Sequence, residues 1–183
     1  MKLEQLKIRA DFGKLCEALG FKEGIEIGVA FGENAEKILE QFSGHLHLVD
    51  PWERQDEAVF PSHGIIGNYQ ECYVYAMGKL ARFKPRLTVH RHLSDIGILK
   101  CPMVDFVYID GNHSSPQVNR DIMNSWAKIK PGGIMGGHDY TDQYPDVIWA
   151  VKEFASLYNL KVHLSGTTDT DQAVSWWIQK PKA

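Results

Sequence analysis

Short apolar runs alternate with amphipathic ones along most of this chain, and no other feature limits its fold as strongly. GIEIGV (24–29), HLHLVD (45–50), RLTVHR (86–91), VDFVYI (104–109) and GIMGGH (133–138) have the length and composition of strands. Helices are expected around them. Leu3, Leu6, Phe12, Leu15 and Leu19 fall at helical spacing over 3–19, before Gly20. ENAEKILEQF (33–42) opens with acidic residues, as a helix N-terminus favours. Asn68 can cap a helix running to about Phe83, and Pro116 suits the first turn of one over QVNRDIMNSWAKI (117–129). KPGG (130–133) reads as the turn into the fifth strand, and VIWAVKEFASLY (147–158) as a helix with Val147, Ala150, Val151 and Phe154 on one face. LKVHL (160–164) and AVSWWI (173–178) bring the strands to seven. This order predicts an α/β fold: a doubly wound, mainly parallel seven-stranded sheet with helices on both faces. At 183 residues it makes one domain, 1–183.

Two of these strands end unusually. VYIDGNHSS (107–115) runs from core-like residues into Asp110, Gly111, Asn112 and His113, and GGIMGGHDY ends in His138 and Asp139. In open parallel sheets ligands bind at the carboxyl ends of the strands, so both endings point to one site. An imidazole with a pKa near its ordinary value of about 6.5 can accept a hydroxyl proton at neutral pH. His138 and His113 are the candidate bases, His138 ahead for its adjacency to Asp139. The plainer alternative is that both imidazoles tie loops together.

The first strand runs into Glu26-Ile-Gly28-Val-Ala30-Phe-Gly32. A dinucleotide-binding loop would need glycine at 30 and 33, where this chain has Ala30 and Glu33, and a glutamate there repels a pyrophosphate. The pattern is acidic-x-Gly-x-small-x-Gly instead. Glu26 can face a positively charged ligand group, and Asp50, ending the second strand, can accept hydrogen bonds from a ribose diol. A nucleoside carrying an amino acid suits both.

Composition narrows the partners. Net charge is −3 and no Lys/Arg-rich block occurs, which disfavours nucleic acid. Three scattered cysteines without a CxxC pair imply reduced thiols. The sequence has no secretory-signal pattern and no apolar run long enough to span a membrane, so a soluble cytoplasmic protein is expected.

Taken together, EIGVAFG, LVDPW, DFVYIDGNHS, IKPGG and GGHDY resemble class I S-adenosylmethionine-dependent methyltransferases. Within that class they are similar to the small-molecule and sugar O-methyltransferase branch marked by IDG-x-H-S/T and a GG-x-x-x-x-HDY strand end. The resemblance covers residues 20–178 and implies a Rossmann-like methyltransferase fold. It implies that Glu26, Gly28, Ala30 and Gly32 surround the methionine part of the cofactor, and that Asp50 holds its ribose. Pro51 and Trp52 would lie beside the adenine, although Trp52 is equally explained as a packing aromatic. Ser94, read as ending the third strand, and its neighbour Asp95 would reach the adenine edge. Asp110 would meet the cofactor's amino group or, with His138 and Asp139, hold Mg²⁺ or Mn²⁺. Ala30 departs from the glycine common in the class. IDGN replaces the Asn/Asp-Pro-Pro-aromatic motif of base-amino methyltransferases, and no Pro-Cys nucleophile occurs. A small-molecule acceptor is therefore expected, with 51–69 as a lid over it and a homo-oligomer as one use of the N-terminal helix. Two alternatives stand at this point: a non-catalytic module binding S-adenosylmethionine or S-adenosylhomocysteine, and a NAD-binding oxidoreductase.

Overall fold

The structure, a computed structural model, describes residues 6–53, 68–166 and 173–182. Its strands are β1 (Glu23–Ile27), β2 (His45–Val49), β3 (Leu87–His90), β4 (Val104–Ile109), β5 (Ile129–Gly137), β6 (His163–Leu164) and β7 (Trp176–Gln179). They form one sheet in the order β3-β2-β1-β4-β5-β7-β6. The pairs among β1 to β5 are parallel, and β7 runs antiparallel to both β5 and β6. The chain winds outward from β1 to β3 and then returns to β4 on the other side of β1. The topological switch point therefore lies between β1 and β4, and a crevice is expected at their carboxyl ends.

Among the described residues, six α-helices cover the sheet: α1 (Phe12–Ala18), α2 (Glu33–Gln41), α3 (Tyr69–Lys79), α4 (Ser94–Lys100), α5 (Ser115–Lys128) and α6 (Pro145–Leu157). Successive strand residues point to opposite faces, so a sheet buried on both sides divides them between two cores. Phe106 and Tyr108 of β4 join Leu15, Ile38 and Leu39 from α1 and α2. Val107 and Ile109 join Ile98, Val118, Ile122 and Val151 from α4, α5 and α6. Phe106 anchors the first core, with edge-on contacts to Phe12 at 5.4 Å and Phe42 at 5.2 Å. The expected apolar face of α6 is buried at Val147, Ala150, Val151 and Phe154, and the Asn68 side chain caps α3 by accepting from Gln70 N at 2.9 Å.

The differences from expectation have local causes. β1 stops at Ile27 because Gly28 turns into the left-handed region at φ 81°. The N-terminal helix is shortened to α1, preceded by a 3₁₀ turn at Arg9–Asp11; residues 1–5 lie outside the described residues. The helix expected to Phe83 ends at Lys79 and continues as a 3₁₀ run, Ala81–Arg86, that accommodates Pro85. KPGG is a bulge inside β5, since Ile129 already pairs with Val104 before it and Ile134 with Phe106 after it. The expected strand at 160–164 is confined to β6, and the one at 173–178 starts at Trp176. Ser94 opens α4 rather than ending β3. Most of the proposed lid, 54–67, lies outside the described residues. No helix among the described residues is long and apolar enough to cross a membrane.

Candidate active site

The carboxyl edge begins with the turn after β1. A side chain on Gly28 would collide with the backbone carbonyl of Asp110, so this glycine is what lets the β1 loop lie directly against the end of β4. Ala30, at φ 48°, also takes a left-handed conformation, and Gly32, at φ 79°, is the N-cap of α2. Asp50 holds this loop in shape. Its Oδ2 accepts from Val29 N at 2.9 Å and Ala30 N at 3.0 Å, while Oδ1 accepts from Trp52 N at 2.7 Å. Burial pushes the Asp50 carboxyl up, and the three backbone donors oppose that shift. A carboxylate has about four lone-pair positions, so one stays open to a further donor.

Trp52 is 2% exposed, donates Nε1–H to Ala30 O at 2.8 Å and meets Tyr73 edge-on at 5.2 Å. That placement favours the packing explanation, in which the ring locks Ala30 from below. Ser94 and Asp95 are tied to α5: Gln117 Nε2 donates to Ser94 Oγ at 2.9 Å, and Arg120 Nε to Asp95 Oδ2 at 3.2 Å.

Glu26 lies beneath the loop with no exposed surface. Asn34 Nδ2 donates to its Oε1 at 3.0 Å, and Oε2 has no hydrogen-bond partner. Burial pushes this carboxyl to about 8, with Asn34 opposing. A buried, half-satisfied carboxyl is expensive unless a donor or a cation completes it. Asn34 in turn accepts from Arg9 Nε at 3.0 Å, and Arg9 reaches across to Asp110 Oδ2 at 2.5 Å. The Arg9–Asn34–Glu26 chain was not anticipated. Asn34 had one available signal, as a polar residue in the helical turn directly after the loop, but Arg9 had none.

The ends of β4 and β5 close the site. Asp139, at φ 57°, lies between two imidazoles: His113 Nε2 is 2.6 Å from its Oδ2, and His138 Nδ1 is 3.2 Å from its Oδ1. His138 Nδ1 is also 3.7 Å from Asp110 Oδ1. Burial raises the Asp139 carboxyl, but hydrogen bonds from both histidines outweigh it and hold the group well below the usual carboxylate range. Burial lowers His138, and here the bond to Asp139 and the two carboxylate charges prevail, so its pKa is raised. Burial also pushes Asp110 up, against the pull of Arg9 and His138. Beside this cluster is a small cleft whose walls include Val118, Val147 and Trp176 as well as Asp110, His113 and His138.

Ala30, Trp52 and Asp139 are three non-glycine residues at positive φ, each sitting at this edge of the sheet. Such backbone costs roughly 1–3 kcal/mol per residue and tends to cluster at functional sites. The structure thus brings Glu26, Asp110, His113, His138 and Asp139 together beside the glycine loop. Ser94 and Asp95 stand apart, on the α4 side.

Residues 25–140, more than half of the chain, match the profile of a family described as a methyltransferase domain. The chain belongs to that family. Its sheet order and helices are those of a Rossmann-like methyltransferase fold, and the protein is an S-adenosylmethionine-dependent methyltransferase, which sets aside the NAD-binding alternative. No curated protein sequence matches this methyltransferase significantly. Several solved structures share its fold at low identity. An O-methyltransferase from Bacillus cereus, solved with S-adenosylhomocysteine, is 12% identical, with 98% of this chain and 84% of that one covered and a TM-score of 0.68. TomG from Streptomyces achromogenes, an O-methyltransferase of tomaymycin synthesis solved with S-adenosylmethionine, is 14% identical, with 97% and 83% covered and a TM-score of 0.62. Cofactor-bound Rv0187 from MTB is 12% identical, with 100% and 82% covered and a TM-score of 0.70.

Proposed function

We propose that this methyltransferase transfers the methyl group of S-adenosylmethionine to a hydroxyl oxygen of a small molecule, a sugar among the candidate acceptors. One observation carries the reading. The imidazoles of His113 and His138 and the carboxylates of Asp110 and Asp139 meet at one strand edge, against the glycine loop.

The cofactor's parts have matching places. Glu26 Oε2, buried without a partner, would take the cationic amino group of the methionine moiety, with the Asp110 charge adding to the negative field there. The open lone pair of Asp50 would accept from a ribose hydroxyl. Gly28, Ala30 and Gly32 let the backbone approach the sulfonium end, and Ser94 with Asp95 would edge the adenine. Trp52 supports this loop more than it offers a stacking face.

In the reaction His138 takes the hydroxyl proton as the acceptor oxygen attacks the sulfonium methyl. The C–O bond forms, the C–S bond breaks with its electron pair going to sulfur, and neutral S-adenosylhomocysteine leaves. Asp139 stabilises the imidazolium, and His113 holds Asp139 in its strained backbone position. Alignment of oxygen, methyl and sulfur supplies most of the acceleration in such a transfer, so a modest base suffices.

A metal-assisted version rests on the donor set. Ligand atoms of Asp110, His138 and Asp139 lie within 4.8 Å of one another, two carboxylates and one imidazole, which fits Mn²⁺ better than Mg²⁺. A divalent ion held there would lower the pKa of the acceptor hydroxyl. Arg9 already occupies Asp110 Oδ2 and leaves Oδ1 toward His138.

Calorimetric titration with S-adenosylhomocysteine, in Mn²⁺ and again in EDTA, tests both parts. Binding is expected in both conditions; its absence in both would sink the assignment of the loop. Turnover of a panel of sugar and phenolic hydroxyls then tests the acceptor class, and transfer only to nitrogen acceptors would overturn it.

A further inference from the structure

On the far side of β2, away from the carboxyl-edge cluster, lies a second group of metal-ligating side chains that methyl transfer does not use. His47 of β2 and His90 of β3 point to the same face of the sheet. His47 Nδ1 is 3.1 Å from His90 Nε2, with ring centroids 5.4 Å apart and planes inclined by 25°. Cys101, directly after α4, brings its thiol to the same place. One ligand atom from each of the three residues lies within 4.8 Å of the other two.

The contact between the histidines leaves a polar atom stranded. His47 is only 8% exposed, and its Nε2 has no hydrogen-bond partner. Whichever nitrogen carries the shared proton, His47 then buries either an idle N–H or an idle lone pair. Such a group is costly to bury.

We propose that His47, His90 and Cys101 bind a divalent transition-metal ion of borderline softness, with zinc as the best match. Two imidazole nitrogens and a thiolate are zinc ligands, and one position remains for water from the half-buried His90 side. Tetrahedral zinc with bonds of about 2.0–2.3 Å places its ligand atoms about 3.3–3.6 Å apart. His47 Nδ1 and His90 Nε2, 3.1 Å apart, are already near that spacing, so an ion taken through Nδ1 replaces the contact between the two rings. The sulfur, within 4.8 Å of the histidine ligand atoms, closes in by up to about 1.5 Å. On binding, Cys101 gives up its contact to Gly97 O at 3.4 Å, forms the sulfur–metal bond and releases one proton to solvent. The ion joins β2 and β3 to the C-terminal end of α4. Gly97 already brings that helix against Val49, because any side chain there would collide with it.

The test uses the full chain, stripped with a chelator and titrated with Co²⁺. Thiolate-to-cobalt charge-transfer absorption saturating at one ion per chain is expected, bleached by one equivalent of Zn²⁺, with a rise in Tm on zinc binding. Cys101→Ser should abolish the absorption. Asp139→Asn should keep it, since the carboxyl-edge cluster has no sulfur. His90→Gln, at a half-buried position, is a second variant that guards against misfolding of the serine one. It should weaken cobalt binding by more than about 100-fold, because loss of a ligand exceeds the 10–100-fold typical of outer-shell partners. No thiolate absorption in the wild-type chain, or absorption persisting in both Cys101→Ser and His90→Gln, would overturn the proposal.

Discussion

At the end of β2 the Asp50 carboxylate is held by three backbone N–H groups, whereas at the ends of β4 and β5 the carboxylates of Asp110 and Asp139 are held by Arg9, His113 and His138. Backbone donors do not titrate and cannot swing away. The cofactor half of the edge should therefore keep its shape across pH and in the absence of ligand. The partners on the other half are ionisable side chains from distant parts of the chain, so that half depends on protonation and on what else binds. One half is built to hold, and the other to change charge.

The contrast is broken most sharply at Asp139. Asp139→Ala removes the group between the two imidazoles and is expected to lower methyl transfer by roughly 10²–10⁴-fold, the range of general acid–base help. Binding of S-adenosylhomocysteine should stay within a few-fold. Undiminished turnover would remove Asp139 from the chemistry. Asp50→Asn should do the reverse, because an amide offers one oxygen and turns an N–H toward backbone donors. Cofactor affinity should fall by about 10–100-fold, matching the loss of one or two charge-assisted bonds, with kcat at saturating cofactor nearly kept. Equal losses in both parameters for both variants would show that the halves are not separable.

The pH dependence gives smaller but signed effects. His138 is raised and must be neutral to accept a proton, so kcat/KM should climb through a pKa above the ordinary histidine value of 6.5 and then level. A pH–rate profile of wild type against His138→Gln checks this. Glu26 behaves oppositely to a salt-bridged carboxylate. Its folded pKa of about 8 lies above the ordinary 4.5, so the folded state binds the extra proton. Stability of the ligand-free chain should then fall as pH rises from 4.5 toward 8, and Glu26→Gln should flatten that slope. Binding of a cationic amino group needs the ionised form, so cofactor affinity should rise over the same interval and lose this dependence in the variant.

The same division decides what could be read from the sequence. The Glu26–Gly32 loop and Asp50 are close in sequence and act through backbone geometry, so residue spacing reveals them. The strand ends at Asp110 and at His138–Asp139 are visible because titratable groups interrupt apolar runs. Asp139 between two imidazoles is not, since His113 arrives from another loop. α4 escapes because its seven residues make too short a period to register, and Gly97 in its middle reads as a breaker. KPGG has turn chemistry, yet the sheet resumes pairing on both sides and absorbs it as a bulge. Arg9 was the hardest to foresee: its partner Asp110 is 101 residues away, and nothing in KIRADF distinguishes this arginine from a solvated one.

Arg9 gives the smallest effect and the finest discrimination between base and metal. Its guanidinium neutralises Asp110 at 2.5 Å, with both side chains less than one-fifth exposed. A cation already seated on one oxygen opposes a divalent ion on the other. Arg9→Met keeps the apolar stem beside Tyr108, whose ring centroid lies 5.7 Å from the guanidinium carbon, and removes only the charge and its hydrogen bonds. Loss of the guanidinium leaves a mostly buried carboxylate uncompensated, which costs stability, while its effect on an ion at the other oxygen should be about fivefold. If Asp110 and Asp139 hold the ion, the Mn²⁺ concentration giving half-maximal activity should drop by that factor, while affinity for S-adenosylhomocysteine moves less. If His138 works alone, activity should be indifferent to Mn²⁺ in both proteins, and Arg9→Met should show only a loss of Tm. A weaker Mn²⁺ response in the variant would contradict both arrangements, because removing a positive charge cannot by electrostatics alone repel a cation.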